Sequence, residues 1–160
     1  LDEGASVGVR FANGATLDAR AVVGADGARS AVRAQLLNAS PPEFTGYCAW
    51  RGLVPAAALP AGTIDYPTCL YVGPHRMFAR YLVRRGELVN FVAAVREPNW
   101  RVESWSTRGD RAEVLEAFAD FHPAVRAILA AVPHDALHKW ALYSREPLLS
   151  WVDGRIGLLG

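Results

Sequence analysis

An α+β centre flanked by pieces of an α/β fold is what this 160-residue sequence predicts. Three observations carry the prediction. The run AVVGADGARSAVR, residues 21–33, sets a short β-branched strand, a Gly-rich turn and a helix-like segment in succession. The middle of the chain holds several strands with period-two alternation, followed by two consecutive helical segments. Residues 155–159 then read as one last apolar strand.

Taken in order, residues 6–11 alternate apolar and polar, meet Asn13-Gly14 and resume at Thr16-Leu17, the strongest short-range hairpin signal. Val22-Val23 forms the next strand and residues 30–37 a short helix. Asn38-Ala39-Ser40-Pro41-Pro42 breaks the pattern and marks a linker. Residues 44–54 predict a long strand ending at Pro55, and residues 69–72 another, closed by Gly73-Pro74. Residues 77–84 and 87–95 predict a hairpin around Arg85-Gly86. Met77, Ala79, Tyr81 and Val83 share one face of its first strand, and this is the pocket-facing candidate. Phe78, Arg80, Leu82 and Arg84 share the other, which its two arginines assign to solvent or another domain. Residues 97–108 read as a polar loop containing Trp100 and Trp105. Asp110 is positioned to cap a helix through Phe121, and Pro123 to open a second helix that ends before Pro133. Residues 138–143 add one more strand.

Hydrophobic content of 51% and charged content of 21% describe a soluble globular chain. A formal net charge of +1 gives no reason to invoke nucleic acid or a charged membrane surface as partner. No apolar run reaches the roughly 18 residues a membrane span needs. Cys48 and Cys69 lack metal-ligand spacing and read as free thiols in a reducing, cytoplasmic setting. Leu1-Asp2-Glu3 begins in mid-element, and no G-x-G-x-x-G occurs, so the expectation is an internal fragment.

Strand, Gly-rich turn and helix is the arrangement that brings backbone amides to a phosphate, so dinucleotide chemistry is the first reading. Asp26 suits hydroxyl donors such as ribose or ribityl groups, and Arg33 suits a phosphate or carboxylate. A purely structural reading stands beside it: Gly27 supplying positive φ, Ser30 capping the helix, and Arg33 pairing with Asp26. His134 and His138 have i, i+4 spacing, but Pro133 and the lack of a third ligand argue against a metal, and none is expected. Glu113 and Glu116 read as a solvated face. Arg51 suits either a substrate carboxylate or an ion pair within the sheet.

GADGARSAVR resembles the Asp-Gly motif of the FAD-dependent aromatic hydroxylases, single-component flavoprotein monooxygenases. YCAWRGLVP, residues 47–55, resembles the strand that leads into their substrate domain. WVDGRIGLLG, residues 151–160, resembles the strand that returns to their FAD domain, and the salicylate and 3-hydroxybenzoate hydroxylase branch is the most similar. The resemblance implies a mixed, mainly antiparallel substrate-domain sheet covered by helices, flanked by strands and a helix of a Rossmann-like FAD-binding domain. Its implied boundaries are 1–40 for the first FAD segment, 41–152 for the substrate domain and 153–160 for the returning strand. It further implies FAD, NADH or NADPH, O₂ and a small phenolic or benzoate-type substrate, with a homodimer left open.

Under the same resemblance Asp26, Gly27, Ser30, Arg33 and Gly160 are cofactor-binding, and Tyr81 lines the substrate as the candidate catalytic residue. Met77 stands where the branch often places a histidine, which puts a side-chain proton acceptor there in question. The fragment alone is expected to bind FAD weakly or not at all. Two alternatives share these features: a flavoprotein of the same scaffold acting as epoxidase, halogenase or reductase, and a non-catalytic domain with a degenerate flavin site.

Overall fold

The computed structural model describes residues 6–37, 40–100 and 107–159. Trp105 and Gly160 lie outside the described residues, as do Asn38 and Ala39 of the linker. The chain divides into two compact units, one of residues 1–43 and 143–160, the other of residues 44–142.

In the first unit β1 (Val7–Arg10) and β2 (Thr16–Ala19) form the expected antiparallel hairpin, with Val7 opposite Ala19. Asn13 Oδ1 accepts the Ala15 amide at 3.0 Å, and Gly14 takes φ 86°, a value that glycine adopts at little cost. β3 (Val22–Gly24) pairs in parallel with β10 (Ile156–Leu158), and α1 (Ala31–Leu37) follows β3. β9 (Val152–Asp153) was not expected. It folds back on β10 through Gly154, which sits at φ 55°. Asp153-Gly154 is a hairpin dipeptide, and the signal was legible.

The second unit is built on a five-stranded sheet ordered β5-β6-β7-β4-β8. Its strands are β4 (Glu43–Pro55), β5 (Thr68–Gly73), β6 (Arg76–Val83), β7 (Leu88–Arg96) and β8 (His138–Ser144). Helices α2 (Arg111–Ala117) and α3 (Pro123–Ala131) supply the partners for one face. Trp50, Val54, Phe78, Val89, Phe91 and Ala93 meet Val114, Phe118, Val125, Ile128 and Leu129 in a single apolar core. Strand alternation selects these residues, because every second side chain of β4, β6 and β7 points the same way. Gly52 belongs to that face for lack of room: an added Cβ would stand 2.6 Å from Phe91 and 2.7 Å from Val132.

Asp110 caps α2 as expected, its Oδ1 accepting the Ala112 amide at 2.7 Å, and Pro123 opens α3. The expected helix through Phe121 is corrected: α2 stops at Ala117. Phe118 leaves helical geometry at φ −119°, ψ 23°, and the residues before Pro123 form a turn that seats Phe118 against Phe121 at 4.8 Å. A residue that precedes proline is driven out of the α region, so the chain must break before Pro123.

The face assignment of β6 is also corrected. Phe78 and Arg80 are fully buried on the helix side, so the arginine-bearing face is the core face. Arg80 is tolerated there because its guanidinium reaches Asp65 Oδ1 at 2.5 Å and donates to the Tyr66 carbonyl. Glu113 is likewise more than a solvated side chain. It accepts from Lys139 Nζ at 2.6 Å, and Glu97 accepts from the same ammonium at 2.7 Å. That buried ammonium lies 4.5 Å from the Trp50 ring centre and 4.7 Å from Trp100. Among the described residues no helix is long and apolar enough to cross a membrane.

Candidate functional site

In the first unit a cavity of about 380 Å³ opens where β3 turns into α1, lined among others by Gly24, Gly27, Ser30, Arg33, Arg145 and Trp151. Gly24 lets β3 approach α1, since a Cβ there would stand 2.9 Å from Val32 and 3.0 Å from Leu158. Gly27 takes φ 77° and has open space before it. The turn therefore presents bare backbone to the cavity.

The helix amides are not left for a ligand. Asp26 Oδ2 accepts from the Ala31 amide at 2.7 Å and the Val32 amide at 3.2 Å, and Ser30 Oγ accepts from the Arg33 amide at 2.9 Å. The sequence reading offered these amides to a phosphate; the carboxylate of the same turn occupies them instead. The pairing of Arg33 with Asp26 is corrected too, because Arg33 Nη2 donates to the Glu146 carbonyl at 2.6 Å. Ser30 and Arg33 are buried, and Asp26 remains exposed. Hydrogen bonding from Ser30 holds the Asp26 carboxyl below its ordinary value of 3.8; loss of water around it opposes this, and the backbone amides, those of Val32 and Ala31 among them, add to the lowering.

A mutational expectation follows from this cap. Asp26→Ala loses about 1 kcal/mol, the usual worth of an N-terminal cap. Because the folded carboxyl titrates below 3.8, its stabilisation is complete above that value and is lost as the pH falls beneath it. Thermal melts of both proteins between pH 7 and pH 3 check this: the gap should narrow only at the acid end.

In the second unit the sheet face away from the helices is apolar: Ala49, Ala94 and Trp140 form a buried cluster on it, and its β5–β6 part is exposed. Register places Tyr81 opposite Asn90 and Asn90 opposite Leu53, while Ala79 stands opposite Val92 and Val92 opposite Arg51. Leu70, Val72, Met77 and Tyr81 are all exposed on it, Tyr81 by 38%. Arg51 and Asn90 are its polar pair, with Arg51 Nε donating to Asn90 Oδ1 at 3.4 Å. Beside them Arg51, Leu53, Ala136, His138 and Trp140 line a cavity of about 330 Å³. His75 lies in the β5–β6 turn at φ 56°, and no group of His, Cys, Asp or Glu among the described residues could hold a metal.

The predicted turn residues 27, 30 and 33 thus share one cavity, and Tyr81 lies on the exposed part of an apolar face of the other unit. Gly160 lies outside the described residues. Arg145, Tyr143 and Trp151 were missed as cavity-lining residues, since nothing in SREPLLSW separates a lining arginine from a solvated one. Asn90 was missed because a lone asparagine in a strand carries no periodic signal.

No family model matches the chain. A 6-hydroxynicotinate 3-monooxygenase of Bordetella bronchiseptica is 36% identical over 157 residues, which cover 96% of this chain and 40% of that protein. A salicylate hydroxylase of Pseudomonas putida is 31% identical over 178 residues, covering 99% of this chain and 40% of its own length. The crystal structure of Klebsiella pneumoniae HpxO complexed with FAD and uric acid superposes with a TM-score of 0.76 at 26% identity, over 100% of this chain and 40% of that one. Fold and sequence together make this chain homologous to the matching stretch of the FAD-dependent aromatic hydroxylases. It spans about 40% of the length of the curated relatives it matches.

Proposed function

We propose that these residues belong to an FAD-dependent monooxygenase that hydroxylates a phenolic or benzoate-type ring, using NADH or NADPH and O₂. The observation that carries the reading is the match to ring hydroxylases over nearly the whole chain. The cavity at the β3–α1 turn fits part of a dinucleotide: it has bare glycine backbone at Gly27, a buried hydroxyl at Ser30 and guanidinium groups at Arg33 and Arg145. In this reading Gly27, Ser30 and Arg33 touch the cofactor, and Asp26 fixes the turn that presents them.

Bound FAD supplies the redox chemistry: reduction by the nicotinamide, activation of O₂ and delivery of one oxygen atom to the ring. The protein's part is placement and exclusion of water. Leu70, Met77, Ala79 and Tyr81 offer an apolar surface for an aromatic guest, which removes water from the reacting carbon. The Tyr81 hydroxyl orients the substrate's phenol, and Arg51, steadied by Asn90, suits a carboxylate substituent. Met77 can donate and accept no proton of consequence, so phenol activation falls to Tyr81 or to an already acidic phenol.

The test uses the full-length protein. It should purify yellow, oxidise NADH or NADPH faster with salicylate or a hydroxybenzoate, and release a ring-hydroxylated product carrying one atom from ¹⁸O₂. Tyr81→Phe should lower kcat/KM about five- to tenfold, the worth of one hydrogen bond. A colourless protein, or nicotinamide oxidation with no hydroxylated product, would refute the proposal; a chlorinated, epoxidised or reduced product would select the other chemistries of this scaffold.

A further inference from the structure

The two cysteines of the chain stand in opposite surroundings. Cys48 is fully buried, and its Sγ donates to the Trp100 carbonyl at 3.3 Å. Burial, and after it the Glu97 carboxylate, pushes this thiol up to about 11. A thiol so held is inert. Cys69 is partly exposed and lies on β5, the outer strand of the five-stranded sheet. The register sets it directly opposite Arg80 on β6, so the two side chains leave the sheet on the same side. Arg80 is fully buried, with Nη1 donating to the Tyr66 carbonyl and Nη2 to Asp65, while its Nε has no hydrogen-bond partner among the described residues. Tyr71, two positions further along β5, completes the group. Burial raises its phenol above the ordinary 10.0, the Cys69 sulfur adds to the rise and the Arg80 guanidinium opposes it, so the phenol lies within range of both. A buried guanidinium N–H without an acceptor is costly, and native proteins rarely leave one so.

We infer that Cys69 is a peroxide-sensitive modification site, oxidised to the sulfenic acid, and that the added oxygen is the acceptor Arg80 Nε lacks. Hydrogen peroxide is the oxidant. The sulfur electron pair attacks one peroxide oxygen, an S–O bond forms as the O–O bond breaks, and the thiol proton leaves with the departing hydroxide as water. Sulfur loses two electrons and the peroxide gains them. Reactive cysteines sit in partly exposed surroundings beside a cation, because the thiolate is the nucleophile; Cys69 meets both conditions and Cys48 neither. Cys69 faces the helix-covered side of the sheet, away from Tyr81, so the inference stands apart from the proposed hydroxylation.

The full-length protein, reduced and desalted, is treated with hydrogen peroxide in the presence of dimedone, which traps sulfenic acids, and its peptides are mapped by mass spectrometry. Cys69 should be labelled at least about ten times faster than Cys48, and a thiol reductant added before dimedone should erase the label. Arg80→Met should slow labelling of Cys69 about tenfold, the worth of one hydrogen bond from a charged donor. Cys48 reports the folding of that variant, since it takes label only when the core opens. Should Arg80→Met unfold, the wild type decides: Cys69 should react faster in the native protein than in urea, where the guanidinium no longer stands beside it. No label on Cys69, equal labelling of both cysteines in the native protein, a folded Arg80→Met with an unchanged rate, or a native rate no greater than that in urea would each overturn the inference.

Discussion

Arg80→Ala is expected to cost about 4 kcal/mol of folding stability, as much as emptying a large apolar core position. Arg80 is fully buried on β6, and its stem packs on the helix-covered side of the sheet. Truncation removes that stem and leaves the Tyr66 carbonyl without its donor, while Asp65, largely exposed, returns to water. The burden is therefore packing and an orphaned carbonyl rather than a stranded charge. Arg80→Met, which keeps most of the volume, should cost about half as much. Urea unfolding followed by circular dichroism measures both. A loss under about 1 kcal/mol for Arg80→Ala would show that the loop holding Asp65 and Tyr66 carries no weight.

Lys139→Ala should cost about 3 kcal/mol, for a different reason. Its ammonium stands between Glu97 and Glu113 and over two indole rings, so removal leaves two carboxylates sharing one space without a cation. Glu113→Gln in the same chain should relieve part of that repulsion, and the double variant should be more stable than the sum of the two single losses predicts. Denaturation of all four proteins gives the coupling. Tryptophan emission should shift as well, because Trp50 and Trp100 both lose the charge above them. Additive losses would mean that the two glutamates act separately.

The parts of the fold that could be read directly are those where a local signal and the tertiary outcome agree. Asn13-Gly14 made its hairpin, Asp110 made its cap and Pro123 opened its helix. The alternation in β6 was legible as a period, yet its sense was not. A charged residue reads as exposed unless its partner is known, and Arg80 finds its partners in a loop 14 and 15 positions earlier. The same holds for Asp26, where residue type and spacing showed a turn but not which amides its carboxylate would take. Arg145 reaches the turn cavity from more than a hundred positions beyond Arg33, a closeness that no window along the chain contains.

The two-residue period of β6 separates its duties. Positions 78, 80 and 82 keep the fold together, while 77, 79 and 81 stand clear of the helices. Selection can therefore exchange the second set, methionine for histidine or tyrosine for something smaller, with little penalty to folding. Such a strand is suited to trying new guests over generations, and an engineer seeking altered ring preference would randomise those three codons first.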